Sequence, residues 1–201
     1  MPSLEFAEGF IFSEELIRTM LQMVHDSCLH NIEYGTYLCK KRGLIYPDII
    51  CKGTDTAIRI KGYNGDFIGK FHTHPRASFD ESMHDNLGML QGLVQTRHHI
   101  ECIYGFKDSA IKCVEYACTP EEGEYILKNL PKVTDEDSFK VKLSEALQKL
   151  TINIKVYTIA MMEDLLKGIG ASELEAEGAA YGQQMLREIY GGHGTAGRDT
   201  A

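Results

Sequence analysis

The residues of this chain best suited to chemistry are His72-Thr73-His74-Pro75 and, after six further residues, Ser82-Met83-His84-Asp85. Side chains two apart on a strand share a face, so His72 and His74 present both imidazoles together. Pro75 has no N–H for a ladder and marks the end of that strand. Ser82 and Asp85 are three apart, and on a helix start they share a face. A strand end and a helix start can then bring two imidazoles and one carboxylate to one point. Two His and one Asp, with water in a fourth position, is a catalytic zinc arrangement.

Each piece has an ordinary structural use. A lone histidine is more often structural than a ligand, and Ser82 with Asp85 resembles a capping box, although Glu or Gln is the usual partner there. The combination is more specific. With this composition, five fixed types at this spacing arise by chance in roughly 2 of 100,000 chains, which favours a functional origin. His84 turns to another helix face. Thr73 reads as simple alternation, with a backbone able to line a groove. His98 and His99 follow the helix and suit its C-terminal dipole, and Met161 and Met162 read as core or docking residues.

The pattern HxHP-x6-SxxD resembles the zinc signature of the JAMM (MPN+) metalloprotease family over about residues 10–118. That family also places a glutamate on the first strand after a helix, and Glu33 of Ile32-Glu33-Tyr34-Gly35 matches it. The resemblance implies one zinc ion per chain, held by His72, His74 and Asp85. It implies Glu33 as general base and then acid to the leaving amine, and Ser82 as hydrogen-bond donor to the developing oxyanion. Zinc lowers the pKa of a bound water to about 7, and a neighbouring carboxylate can take and return the proton. Active members cut lysine isopeptide bonds of ubiquitin or ubiquitin-like proteins, process precursors, or cut peptides. The expected function is therefore a zinc-dependent isopeptidase or peptidase acting on a ubiquitin-like protein or peptide. The short Pro75–Ser82 loop shows no insertion of the kind that gives polyubiquitin linkage selectivity. An inactive MPN-type scaffold and a hydrolase of another small amide are the alternatives. Scaffolds of the family usually lack the metal residues that this chain carries.

The elements that must position these groups are legible in part. Ser13 to Leu29 has helical spacing through Ile17, Met20, Leu21 and Val24, with Ser13 as cap and an end near Asn31. Ile32 to Cys39 reads as a strand, interrupted by Gly43 and Tyr46-Pro47-Asp48. Ile49–Cys51 and Ala57–Ile60 are short strand candidates, and Asn64-Gly65 signals a turn. Phe67 to His72 is a strand, 76–81 a loop, and Ser82 to Arg97 a helix. Ile100–Phe106 and Ala110–Ala117 form a hairpin about Lys107-Asp108-Ser109. After Thr119-Pro120 the chain looks mainly helical, in 121–130, 135–150 and 157–190, with breaks expected at Gly168 and Gly170. These patterns predict an α/β or α+β fold, and the resemblance implies an MPN-like mixed sheet sandwiched by helices. The expected organisation is a metalloprotease domain over 1–120, a helical extension over 121–190 and a disordered tail over 191–201.

The chain has 201 residues, a size at which a sizeable core forms without staples. Its net charge of −8 argues against a broad basic surface for nucleic acid or an anionic membrane. Lys40-Lys41-Arg42 reads as a strand end meeting solvent. No apolar run reaches the ~20 residues that span a bilayer, and the start lacks a signal-peptide pattern. A cytoplasmic protein is expected. Six cysteines without a CxxC pair read as reduced thiols, several of them buried. The C-terminal helices suit self-association or a partner protein.

Overall fold

The computed structural model describes residues 11–60, 66–80, 83–129 and 136–168. In chain order the elements are β1 (Ile11–Phe12), α1 (Glu14–His30), β2 (Tyr34–Lys41), β3 (Leu44–Pro47), β4 (Cys51–Lys52) and β5 (Asp66–His74). Then come α2 (Met83–Thr96), β6 (His98–Gly105), β7 (Ala110–Ala117), α3 (Pro120–Asn129), α4 (Glu136–Leu147), β8 (Thr151–Thr158) and α5 (Ile159–Lys167). The strands form one mixed sheet of order β1-β3-β2-β5-β6-β7-β8, with β4 added beside β2. The β5–β6 pair is parallel and α2 makes the crossover.

Local chemistry sets α1. The Ser13 hydroxyl accepts from Leu16 N at 3.1 Å, and Asn31 closes the helix in the left-handed region at φ 54°. Leu16, Ile17, Met20, Met23 and Val24 then pack on one face of the sheet together with Met162 and Leu165 of α5. On the other face, Met89, Leu90 and Leu93 of α2 share a core with Ile126 of α3 and with Ala146 and Leu147 of α4. The sheet is thus covered by helices on both sides, and its strands β6 and β7 are buried on both faces along nearly their whole length. No helix among the described residues is long and apolar enough to cross a membrane.

Several expectations need correction. Leu44–Pro47 continues the sheet, because Arg42 and Gly43 both take positive φ (54° and 78°) and make a two-residue hairpin turn. Pro47 falls at the strand's end, where its missing N–H costs least. Ala57–Ile60 is not a strand, and 49–51 contributes only Cys51 to one. The 57–60 backbone is held locally instead, by Thr54 N on Ala57 O at 2.8 Å and by the Tyr37 hydroxyl on Ile60 O at 3.3 Å. The expected turn at 64–65 lies outside the described residues.

The segment after residue 120 is not wholly helical. Thr151–Thr158 is a strand that pairs antiparallel with β7 along its whole length, and Tyr157 joins the α1–α5 core. The sheet therefore runs across the boundary expected at residue 120. Its apolar side chains alternate at Ile152, Ile154 and Val156, the period of a half-buried strand. Thr158 caps α5 and Gly168 ends it, while Gly170, the rest of the 157–190 helix and the 191–201 tail lie outside the described residues. The expectation of reduced thiols also fails at one pair: Cys102 and Cys113, directly opposed on β6 and β7, are joined as a disulfide. Cys28, Cys39 and Cys118 are free thiols.

Candidate metal centre

On β5, Lys70, His72 and His74 alternate with Phe71 and Thr73, so the three polar groups point toward α2 and the other two toward α1. Ile68 is the extra residue where the β2–β5 register shifts between Leu38 and Cys39, a bulge that re-aims the strand. Thr73 does more than alternate. Its hydroxyl accepts from Tyr34 N at 2.9 Å and donates to Ser27 Oγ at 2.8 Å, and the Ser27 hydroxyl donates to Ile32 O at 2.8 Å. The end of α1, the start of β2 and the histidine strand are thereby tied together on the side away from the site. Beyond His74, the chain is pinned by Phe106 N on His74 O and by Phe79 N on the Asp108 carboxylate.

His72, His74 and Asp85 meet. The two Nε2 atoms are 3.0 Å apart, Asp85 Oδ1 is 3.3 Å from His72 Nε2, and Asp85 Oδ2 is 3.9 Å from His74 Nε2. Tetrahedral ligands at bonds of about 2.0–2.1 Å stand about 3.3 Å from one another, so these separations fit one small cation. The hydrogen bonds behind the rings agree. His74 Nδ1 lies 2.8 Å from Ser78 O, an atom that only accepts, so that nitrogen carries the ring proton and Nε2 keeps its lone pair. His72 Nδ1 faces Glu101 Oε1 at 3.3 Å and calls for the same tautomer. Two lone pairs facing each other in a buried site repel unless a cation stands between them. Without a metal a proton takes that part: burial pulls the His72 pKa down, but Asp85 and Glu101 outweigh it and raise it to about 9. Burial and the His72 charge lower that of His74. The three residues could hold a metal ion.

Glu33 is buried just before β2 and lines a cleft of about 700 Å³ with His74 and Asp85. Its backbone is held by Glu33 N on Thr54 O at 2.6 Å and Gly53 N on Glu33 O at 2.8 Å. Burial raises its pKa to about 7, with His72 opposing and Asp85 adding to the rise. A second cavity, of about 440 Å³, opens on the other side and is lined by Lys70, His72, His99 and Gln91. Ile58 and Asp85 line both. Ile58 and Ile60 reach the site by packing over Gly35, where a Cβ would lie 2.8 Å from Ile60 Cδ1.

Of the site residues expected from sequence, His72, His74 and Asp85 come together and Glu33 borders the same cleft. Ser82 lies outside the described residues. His98 and His99 do follow α2, but they belong to β6, which begins at His98 and buries both, and their rings meet Glu115 and Glu101. Lys70, Glu101 and His99 surround the ligand set and carry no motif of their own. Their only signal is charge on the strand face of His72, or within an otherwise apolar strand. The chain matches no model of a known protein family and no curated protein.

Proposed function

We propose that this protein is a zinc-dependent metallopeptidase of the JAMM type, cleaving an isopeptide or peptide bond at the tail of a ubiquitin-like modifier or related protein. The observation that carries the reading is the convergence of His72, His74 and Asp85 beside a buried glutamate, Glu33, whose pKa stands near 7. His72, His74 and Asp85 would hold the ion. When bound, zinc supplies a Lewis acid that acidifies the attacking water and polarises the scissile carbonyl.

The chain's own residues move the proton. Glu33, as carboxylate, takes a proton from the attacking water as its oxygen bonds to the carbonyl carbon. It then passes that proton to the leaving nitrogen as the C–N bond breaks, leaving a carboxylic acid, which releases its remaining proton to solvent, and an amine. A carboxyl group whose pKa is near the working pH can do both. Ser82, at the position matching the family's oxyanion donor, would donate to the carbonyl oxygen as negative charge grows, an interaction worth ~3 kcal/mol in such sites. Asp85 lines both cavities, which would give an extended chain room on both sides of the bond.

The test is elemental mass spectrometry on protein purified without added metal or a histidine tag, followed by incubation with conjugates of ubiquitin-like proteins. About one zinc per chain and release of the modifier are expected. Protein that contains no zinc and takes none up would overturn the reading.

A further inference from the structure

Glu101 is a carboxylate whose side chain has no exposed surface, on a strand where its immediate neighbours Ile100 and Cys102 are apolar. Three nitrogens converge on it. Lys70 Nζ and His72 Nδ1 lie 3.4 and 3.3 Å from Oε1, and His99 Nε2 lies 3.2 Å from Oε2. Lys70, with its side chain only 16% exposed, also reaches Asp85 Oδ1 at 3.4 Å. One ammonium thus touches both the carboxylate of one proposed ligand and the carboxylate behind another. The parallel register sets Lys70 beside Glu101. Gly92 makes room for His99, since a Cβ there would stand 2.5 Å from His99 Nδ1.

Stability alone does not account for this arrangement. Well-packed apolar residues of similar volume are often as stabilising as a buried ion pair, or more so. The cluster is also directed. His74 is oriented by a backbone carbonyl, whereas His72 has only Glu101 facing its Nδ1. That approach lacks the alignment of a full hydrogen bond, and both atoms are otherwise without one. A histidine ligand normally gives its other ring N–H to a carboxylate or carbonyl, which fixes its tautomer and strengthens it as a ligand.

We infer that Glu101 and Lys70 are positioning residues for the metal: Glu101 holds His72 with Nε2 turned to the ion, and Lys70 ties Glu101 to Asp85 so that both ligands keep their places. The inference rests on His72, His74 and Asp85 being the ligands. The test is titration of the metal-free full chain with Zn²⁺ against a chromophoric chelator, and with Co²⁺ followed by its visible absorption. Glu101→Gln should bind Zn²⁺ about 10–100-fold more weakly and shift the Co²⁺ band, with a smaller loss for Lys70→Met. Each single change takes one of its partners from a buried charge and so can weaken the fold. The double variant Lys70→Met/Glu101→Gln removes both charges together and should recover thermal stability but not Zn²⁺ affinity. Recovery of stability without affinity is what a merely structural role would not produce. A double variant that binds Zn²⁺ within about 2-fold of the unaltered protein, with the same Co²⁺ band, would overturn this inference alone. An unaltered protein that takes up neither ion would overturn the metal reading, and this inference with it.

Discussion

His98 and His99 are neighbours on β6 and turn to opposite faces of the sheet. Each meets a buried glutamate. His98 Nε2 lies 2.5 Å from Glu115 Oε1, and Asn153 Nδ2 donates to Glu115 Oε2 at 3.3 Å. That group links β6, β7 and β8. His99 meets Glu101, but there the carboxylate also reaches Lys70 and His72, and through Lys70 it reaches Asp85. His72, His99 and Lys70 line a cavity. Burial of a His–carboxylate pair therefore does not by itself mark a site. The difference lies in where the remaining nitrogens point: on one face the pair bridges strands, and on the other it bears on groups that converge on an open cleft.

The largest expected effect breaks the second cluster at its outer end. Asp85→Ala removes a proposed ligand, while Lys70 keeps Glu101 as a partner and the fold should persist. Metal affinity should fall more than about 100-fold, beyond the range expected for a residue that only supports a ligand. Elemental analysis after dialysis measures it. Unchanged stoichiometry would show that the third ligand is another group.

Glu33→Gln comes next, and it separates holding the metal from using it. Zinc content should be unchanged, while turnover should drop about 10²–10⁴-fold, the usual worth of a general base. The same variant has a signature without substrate. Glu33 has its pKa raised from 4.5 to about 7, chiefly by burial, so the folded protein binds a proton that the unfolded chain has released. The contribution of Glu33 to the stability of the metal-free protein must then fall as pH rises from about 4.5 to about 7, and level off above that. The full difference is at most about 3 kcal/mol, and Glu33→Gln should lack it. Urea unfolding with a chelator present, at pH 5 and pH 8, reads this directly. An equal gap between variant and parent at both pH values would mean that Glu33 titrates as an ordinary surface carboxylate.

How much of this was legible beforehand follows from the range of each interaction. The α1 helix is set by contacts three and four residues apart, and its cap, buried stripe and end are all readable from Ser13 to Asn31. The His72–His74 pair needs only the period of a strand, and Asp85 only a helix start. Glu101 is different. It sits 29 residues from His72, and they meet because β5 and β6 pair in parallel in one particular register. Nothing local in Ile100-Glu101-Cys102 announces that. Strand β8 shows the same limit: its alternation is present in the chain, but it lies between helices and finds its partner β7 only through the whole sheet. The turn from Thr54 to Ala57 satisfies backbone groups that a strand would have left to a ladder, so 57–60 resembles a strand in composition without becoming one.

The smallest expected effect on the metal tests the comparison itself. Glu115→Gln takes the charge from beneath His98 just as Glu101→Gln takes it from beneath His72. Both changes are isosteric, both are buried, and both sit on neighbouring central strands. Leaving a buried donor poorly satisfied should cost Glu115→Gln about 1–3 kcal/mol of stability. Its Zn²⁺ affinity should nevertheless stay within about 2-fold of the parent, because His98 and Asn153, which meet Glu115, line neither cavity beside the proposed ligands. A loss equal to that of Glu101→Gln would mean that any loosening of this sheet weakens the site, and the distinction between the two faces would vanish. A stability loss alone, set against an affinity loss on the other face, would assign orientation of the metal ligands to the β5–β6–α2 side alone.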